Sequence, residues 1–213
     1  MTPHTAKNQA SESWMARRGP RRFLRLRTSL CGAGMVALAC CVLANPLFAK
    51  KSRPGEYDVK AAYLFNFGRF VSWPDQGSVN NGVFPICVLG QDPFGRALDN
   101  MLTGEKINGA EVTIRRLQRP EEALNCRLLF ISASEDSRLQ AILQVLGKSP
   151  VLTVSDLPNF TRHGGMIQFV LEDERVRFSV NLAAAENSGL VLSSQLLKVA
   201  SSIQGSTRAG DFK

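Results

Sequence analysis

Histidine chemistry in this chain would fall to His4 or His163, the only two histidines present. So few argue against a multi-histidine metal site. His163 stands in the polar run Thr161-Arg162-His163-Gly164-Gly165. A lone histidine there reads as a solvated turn residue, with a ligand-tuning or pH-sensing role as the alternative. No G-x-S-x-G elbow accompanies it. The acid groups Glu121-Glu122 and Glu135-Asp136 sit at predicted helix starts, where the helix dipole accounts for them. Glu172-Asp173-Glu174 reads as a charged turn. Gly90-Gln-Asp-Pro-Phe-Gly95-Arg96 follows a strand and opens a helix, as a phosphate loop does. It lacks the Lys-Ser/Thr pair, however, and Pro93 removes an amide donor. A plain strand-to-helix turn is the expectation. No catalytic residue, metal site or cofactor is therefore expected.

Cysteine is the remaining reactive type. Cys31, Cys40 and Cys41 fall in the first 49 residues, leaving Cys87 and Cys126 beyond. In an oxidising compartment this even pair is a disulfide candidate. Two separately buried thiols are the alternative reading.

The compartment follows from charge and hydropathy. Of 26 basic and 18 acidic residues, seven bases and one acid lie in residues 1–49. Residues 50–213 keep 19 bases against 17 acids, so most of the formal +8 belongs to the N-terminal segment. There, arginines up to Arg27 precede an uncharged apolar run, Leu30–Ala44, shorter than the ~20 residues of a membrane-spanning helix. Small residues at Ala44 and Ala49 offer cleavage points. Residues 1–49 are thus expected to be a cleaved secretory signal, with Met15 as an alternative start. An uncleaved anchor, a lipoprotein site at Cys40 or Cys41 and a twin-arginine signal at Arg21-Arg22 fit less well. The near-neutral remainder argues against nucleic-acid binding. Its length suits one well-buried domain.

Stepping along that domain, residues 50–55 read as a flexible linker. Val59, Ala62, Tyr63, Phe67 and Phe70 recur at helical spacing from Glu56, and Pro74 stops the run. Val83–Leu89, Leu128–Ser132 and Val151–Val154 read as buried strands, and Glu111–Leu117 as an alternating one. Helices are expected over Pro93–Met101, capped by Asp92, and over Asp136–Leu146, closed by Gly147. A helical turn is expected over Pro120–Leu124. Met166–Leu171 and Val176–Asn181 read as a hairpin with one wet face. A turn of helix over Ala183–Glu186 and a closing helix over Ser193–Ile203 follow, then a frayed tail, 204–213. This alternation predicts a three-layer α/β domain over 56–203. Its central sheet is largely parallel, with an antiparallel C-terminal hairpin and flanking helices.

Two stretches exceed what packing needs. Tyr63, Phe65, Phe67, Phe70 and Trp73 load the first helix with aromatics, which marks either deep burial or a partner surface. Asn181–Leu192 combines small residues, one acid and an aliphatic run.

The ordered motifs resemble a known family. The segment from Lys60-Ala-Ala-Tyr-Leu-Phe-Asn-Phe to Trp73-Pro74 is similar to the opening motif of the YfiR family of bacterial periplasmic proteins. Ile86-Cys87-Val-Leu-Gly90 resembles its first strand. Gly164-Gly-Met-Ile-Gln-Phe169, Val176-Arg-Phe-Ser-Val-Asn181 and the pairs Ala183-Ala184, Gly189-Leu190, Ser193-Ser194 and Leu196-Leu197 resemble its C-terminal signature. The resemblance implies a non-enzymatic periplasmic α/β domain that dimerises. It also implies a repressor that binds the periplasmic sensor region of an inner-membrane diguanylate cyclase, lowering cyclic di-GMP and biofilm formation. Cys87 and Cys126 match one family bridge, and a second pair found in some relatives is missing here. Glu186 and Leu192 occupy the positions of the family's partner contact. The competing reading is a periplasmic small-ligand binder feeding a sensor kinase or transporter. It would need a polar cleft at the carboxyl ends of the strands near Asp92, Asp156 or His163. A hydrolase lacks its nucleophile and base motifs.

Overall fold

The computed structural model describes residues 55–74 and 82–205; the expected signal segment 1–49, most of the linker and residues 206–213 lie outside these. The first helix, α1 (Glu56–Phe70), starts where Asp58 Oδ2 accepts a bond from the Gly55 amide at 2.8 Å. Acids in its first turn and Arg69 in its last suit the helix dipole. Its buried face is Lys60, Ala61, Leu64, Phe67 and Gly68. The expected stripe shares only Phe67 with that face, so the helix is rotated from its sequence reading. The reason is close approach at Gly68, where a Cβ would lie 2.6 Å from Ile107 Cδ1. The helix gives way to a short strand, β1 (Val71–Ser72).

Eight of the other strands build one sheet. They are β2 (Val83–Leu89), β3 (Lys106–Ile107), β4 (Ala110–Leu117), β5 (Leu128–Ile131), β6 (Leu152–Ser155), β7 (Ile167–Glu172), β8 (Arg175–Asn181) and β10 (Ser202–Gln204). The spatial order is β10-β8-β7-β6-β5-β2-β4-β3. Only β7 with β8 and β3 with β4 pair antiparallel; the other neighbours are parallel.

A parallel sheet covered on both faces reads as continuous apolar runs, as β2 and β5 do. Phe84, Ile86, Val88, Leu128 and Phe130 point to one core, with α1, α2 (Arg96–Leu102) and α5 (Ser194–Val199) above them. Cys87, Leu89, Leu129 and Ile131 point to the other. That second core is closed by α3 (Leu139–Leu146) and a 3-10 turn, Pro120–Asn125. The three layers match the expected class.

Four expectations are corrected. The helix expected from Pro93 starts at Arg96. Asp92 Oδ1 instead accepts from the amides of Phe94 and Gly95, at 2.8 and 3.3 Å, and closes a turn before the helix. The helix expected from Asp136 opens as a 3-10 segment, Ala133–Arg138, with Ser132 as its cap. The closing helix ends at Val199, and Ser202–Gln204 becomes β10, parallel to β8. The Ser201 amide donates to the Phe178 carbonyl at 2.8 Å, pulling the chain onto an edge that would otherwise stay open. The hairpin is therefore internal to the sheet. Its turn places Asp173 and Glu174 at φ 49° and 59°, the pattern of a type I′ turn.

Gly90, the first glycine of the candidate phosphate loop, ends β2 at φ +87°. A Cβ there would lie 2.4 Å from Ser134 Oγ and 2.5 Å from Glu135 Oε1. Glu135 is buried and paired with Arg138 Nε at 2.9 Å, so it cannot easily move aside. Gly90→Ala is expected to cost at least about 2 kcal/mol, from left-handed backbone strain and overpacking together. A urea midpoint unchanged from the native protein would contradict this.

Candidate functional site

The pair Cys87 and Cys126 forms a disulfide, with Cα atoms 6.1 Å apart. It joins β2 to the chain just before β5, and both residues are buried in the core beneath α3. Of the two readings left open above, the bridge is the one the structure carries.

The carboxylates at the carboxyl ends of the strands are engaged by neighbours. Asp92 Oδ2 accepts from Arg116 Nε at 2.8 Å, and Arg116 Nη2 reaches Asp99 Oδ2 at 2.6 Å. These bonds, that to Asp99 foremost, raise the Arg116 guanidinium above its ordinary value, and Arg116 lowers Asp99 in turn. Arg119 pairs with Glu122 at 2.7 Å. Asp156 Oδ2 accepts from Lys60 Nζ at 2.6 Å and from the Tyr57 hydroxyl at 2.9 Å. Lys60 also meets Glu56 at 2.6 Å and stands 4.3 Å over the Tyr57 ring. Asp92 and Asp156 thus hold the first helices to the sheet. His163 is exposed on its turn, and its carbonyl accepts from Gln140 at 3.4 Å.

The C-terminal stretch presents the more open surface. Asn181 caps α4 (Leu182–Asn187), its Oδ1 accepting from the Ala184 amide at 3.0 Å. Within α4, Ala185 is buried and Glu186 is exposed. A turn at Ser188–Gly189 leads into β9 (Val191–Leu192), which pairs antiparallel with β1, Val71 against Leu192 and Ser72 against Val191. The Ser193 amide donates to the Phe70 carbonyl at 2.9 Å, and Ser193 Oγ caps α5. The two expected contact residues are not alike. Leu192 is 6% exposed and packs into the core, because the ribbon turns it inward. Its neighbour Val191 faces out at 65% exposure. Period-two alternation across a two-residue strand is too short a signal to separate them in the sequence.

Beside this ribbon, α1 and α5 enclose an apolar groove of about 300 Å³. Tyr63, Asn66 and Phe70 form one wall, Gln195 and Val199 the other, and Phe67 and Phe178 lie at its base. The aromatic load of α1 divides accordingly. Phe67 packs in the core, its ring 5.0 Å from Phe178 and 5.8 Å from Phe169. Tyr63 and Phe70 are half-buried at the groove, and Val199 is 60% exposed beside them. The groove was hidden from sequence reasoning because α1 and α5 lie at opposite ends of the domain.

Among the described residues, no group of three or more His, Cys, Asp or Glu could hold a metal ion. No described helix is long and apolar enough to cross a membrane. The structure is thus an α/β scaffold with engaged carboxylates, a buried bridge and an apolar groove beside an exposed ribbon. The chain belongs to the YfiR/HmsC-like family, whose model matches residues 57–201. This is a family of periplasmic regulators of cyclic di-GMP signalling. Among solved structures, a conserved domain protein from Vibrio cholerae O1 biovar El Tor is 11% identical over 72% of this chain and 62% of that one, with a TM-score of 0.46. A structure described as an ABC domain in complex with L-Trp from Streptococcus pneumonia is 10% identical over 67% and 60%, with a TM-score of 0.46. The chain spans about three fifths of the length of each.

Proposed function

We propose that this protein is a periplasmic repressor of an inner-membrane diguanylate cyclase, acting without catalysis through the cyclase's periplasmic sensor region. The family match over residues 57–201 carries this reading. The exposed apolar residues Val191 and Val199, beside an aromatic groove, support it as a contact surface. Glu186 adds an exposed acid to the same C-terminal stretch. Leu192 contributes from beneath, by seating the ribbon that displays Val191. The bridge suits an oxidising compartment. A homodimer belongs to the same reading and is checked by sedimentation.

Repression requires preference for the cyclase's inactive conformation, since equal affinity for both states shifts nothing. Deleting the gene is expected to raise cellular cyclic di-GMP and biofilm, and a complementing copy to restore both. An unchanged level would remove the cyclase as target.

At the surface itself, Glu186→Lys and Val199→Asp are each expected to weaken binding to the purified sensor region about tenfold, or roughly 1.4 kcal/mol. Thermal midpoints should stay near that of the native protein, because both side chains are exposed. Native affinity in both variants would move the contact elsewhere.

A further inference from the structure

A row of polar side chains crosses three strands on the sheet face opposite the aromatic core. Gln168 of β7 lies directly opposite Ser179 of β8, and Ser179 lies opposite Ser202 of β10. Opposed residues share a face, so one carboxamide and two hydroxyls stand side by side at the strand spacing of about 4.8 Å. The loop after β6 forms the facing wall. The Thr161 amide and hydroxyl approach Gln168 Oε1 at 3.4 and 3.5 Å, and Asn181 Nδ2 holds the Thr161 carbonyl at 2.9 Å. Between wall and row lies a cleft of about 210 Å³, with Arg162 and Glu172 also lining it.

Thr161 and Ser179 are 3% and 7% exposed. The Ser179 hydroxyl borders the cleft and makes no hydrogen bond to another described residue. Trp73 Nε1 is the one buried side-chain polar atom without a partner among the described residues, so the Ser179 hydroxyl is reached by solvent in the cleft and stands open to an occupant there. Hydroxyls and carboxamides both donate and accept, and the ligand that matches such a row carries closely spaced groups that do the same. Arg162 and Glu172 bring opposite charges to one small cleft, which disfavours an anion and a cation alike. The volume lies below the roughly 300–1,000 Å³ of drug-sized sites, which suits a single ring.

We propose that this cleft binds a neutral sugar, one pyranose ring, through Gln168, Ser179 and Ser202 with Thr161 on the facing wall. A ring of about a dozen heavy atoms at ordinary ligand efficiency binds in the millimolar range. The site does not depend on the cyclase reading, and its test uses the protein alone.

The test is amide NMR of the purified protein, titrated with glucose, galactose and N-acetylglucosamine to about 50 mM, well above a millimolar Kd. At least one sugar should give saturable shifts confined to residues 159–162, 168–172, 179 and 201–204. Ser179→Ala should weaken that binding at least fivefold with an unchanged thermal midpoint. Should that variant unfold, Ser202→Ala on the exposed edge strand serves instead. Three results would overturn the proposal. These are no saturable shift from any of the sugars, equal binding by the variant, or stronger shifts of the same amides by glycine or inorganic phosphate, which would mark a charged-ligand site.

Discussion

Replacing Cys87 by Ser is expected to remove about 4 kcal/mol of stability under oxidising conditions and little in reductant. The bridge closes a span of 39 residues. In the chain-entropy model, a loop of that length gives about 4 kcal/mol by restricting the unfolded chain. At roughly 2–4 °C per kcal/mol for a domain of this size, the melting temperature should fall by about 8–16 °C. The bridge ties the middle of the sheet to the 3-10 turn over α3, so its loss loosens the second core first. The first core, which carries the groove, has other supports. Thermal melts of native and variant protein, each with and without dithiothreitol, decide the matter. A loss of the same size in reductant would trace the effect to the buried hydroxyl rather than to the bridge.

The second large effect is expected at Asp156. Asp156→Ala strands the Lys60 ammonium, whose side chain is 5% exposed, with only the half-exposed Glu56 to answer it. Breaking a buried pair from one side costs about 3–5 kcal/mol, and the remaining Glu56 contact points to the lower end, about 3 kcal/mol. The paired replacement Lys60→Met with Asp156→Leu should recover most of the loss, since it leaves no unpaired charge. Urea midpoints of the single and double variants measure both. A single variant as stable as the native protein would mean that Glu56 alone satisfies Lys60.

The same cluster sets an alkaline limit. Burial by itself would pull Lys60 down, but the hydrogen bonds it donates to Asp156 and Glu56 outweigh it and hold the ammonium above the ordinary lysine value. The Tyr57 phenol is raised too, by burial first and then by its bond to Asp156. A raised pKa contributes stability that is fully present below the unfolded value and is lost as pH climbs through the folded one. The unfolded values are about 10 for tyrosine and 10.4 for lysine, so the native protein should weaken from about pH 10 upward. Asp156→Ala should flatten that decline. Midpoints measured at neutral pH and near pH 10.5 test it.

Strands were the most legible part of this chain. Val83–Leu89 and the run from Leu128 are buried on both faces, and that state prints as unbroken apolar sequence. Of the face of β8 expected to be wet, only Arg177 is exposed; Ser179 is buried and Asn181 half-buried, because Asn181 is tied to the loop after β6 and Ser179 lies between β7 and β10. Helix boundaries were less legible. Asp92 resembles a helix cap and instead closes the preceding turn, because Gly95 takes φ 53° before the helix can begin. The segment after Ser193 carries helical spacing through Ile203, yet only its first half is helix. Its second half lies beside β8, and nothing local announces that an edge some twenty residues upstream is open.

Composition, the order of the longer strands and helices and the candidate cysteine pair were thus properties of the sequence by itself, since each rests on local pattern or on counting. The tertiary structure alone decided which face α1 buries, through Gly68 against Ile107 and Lys60 against Asp156, 96 residues away. It alone turned Leu192 inward and Val191 outward. It alone brought α5 to α1 to make the groove, and Ser202 to Ser179 and Gln168 to make the polar row. Local periodicity records that a residue is buried or exposed. It does not record against what, because that partner is chosen by long-range pairing across the sheet.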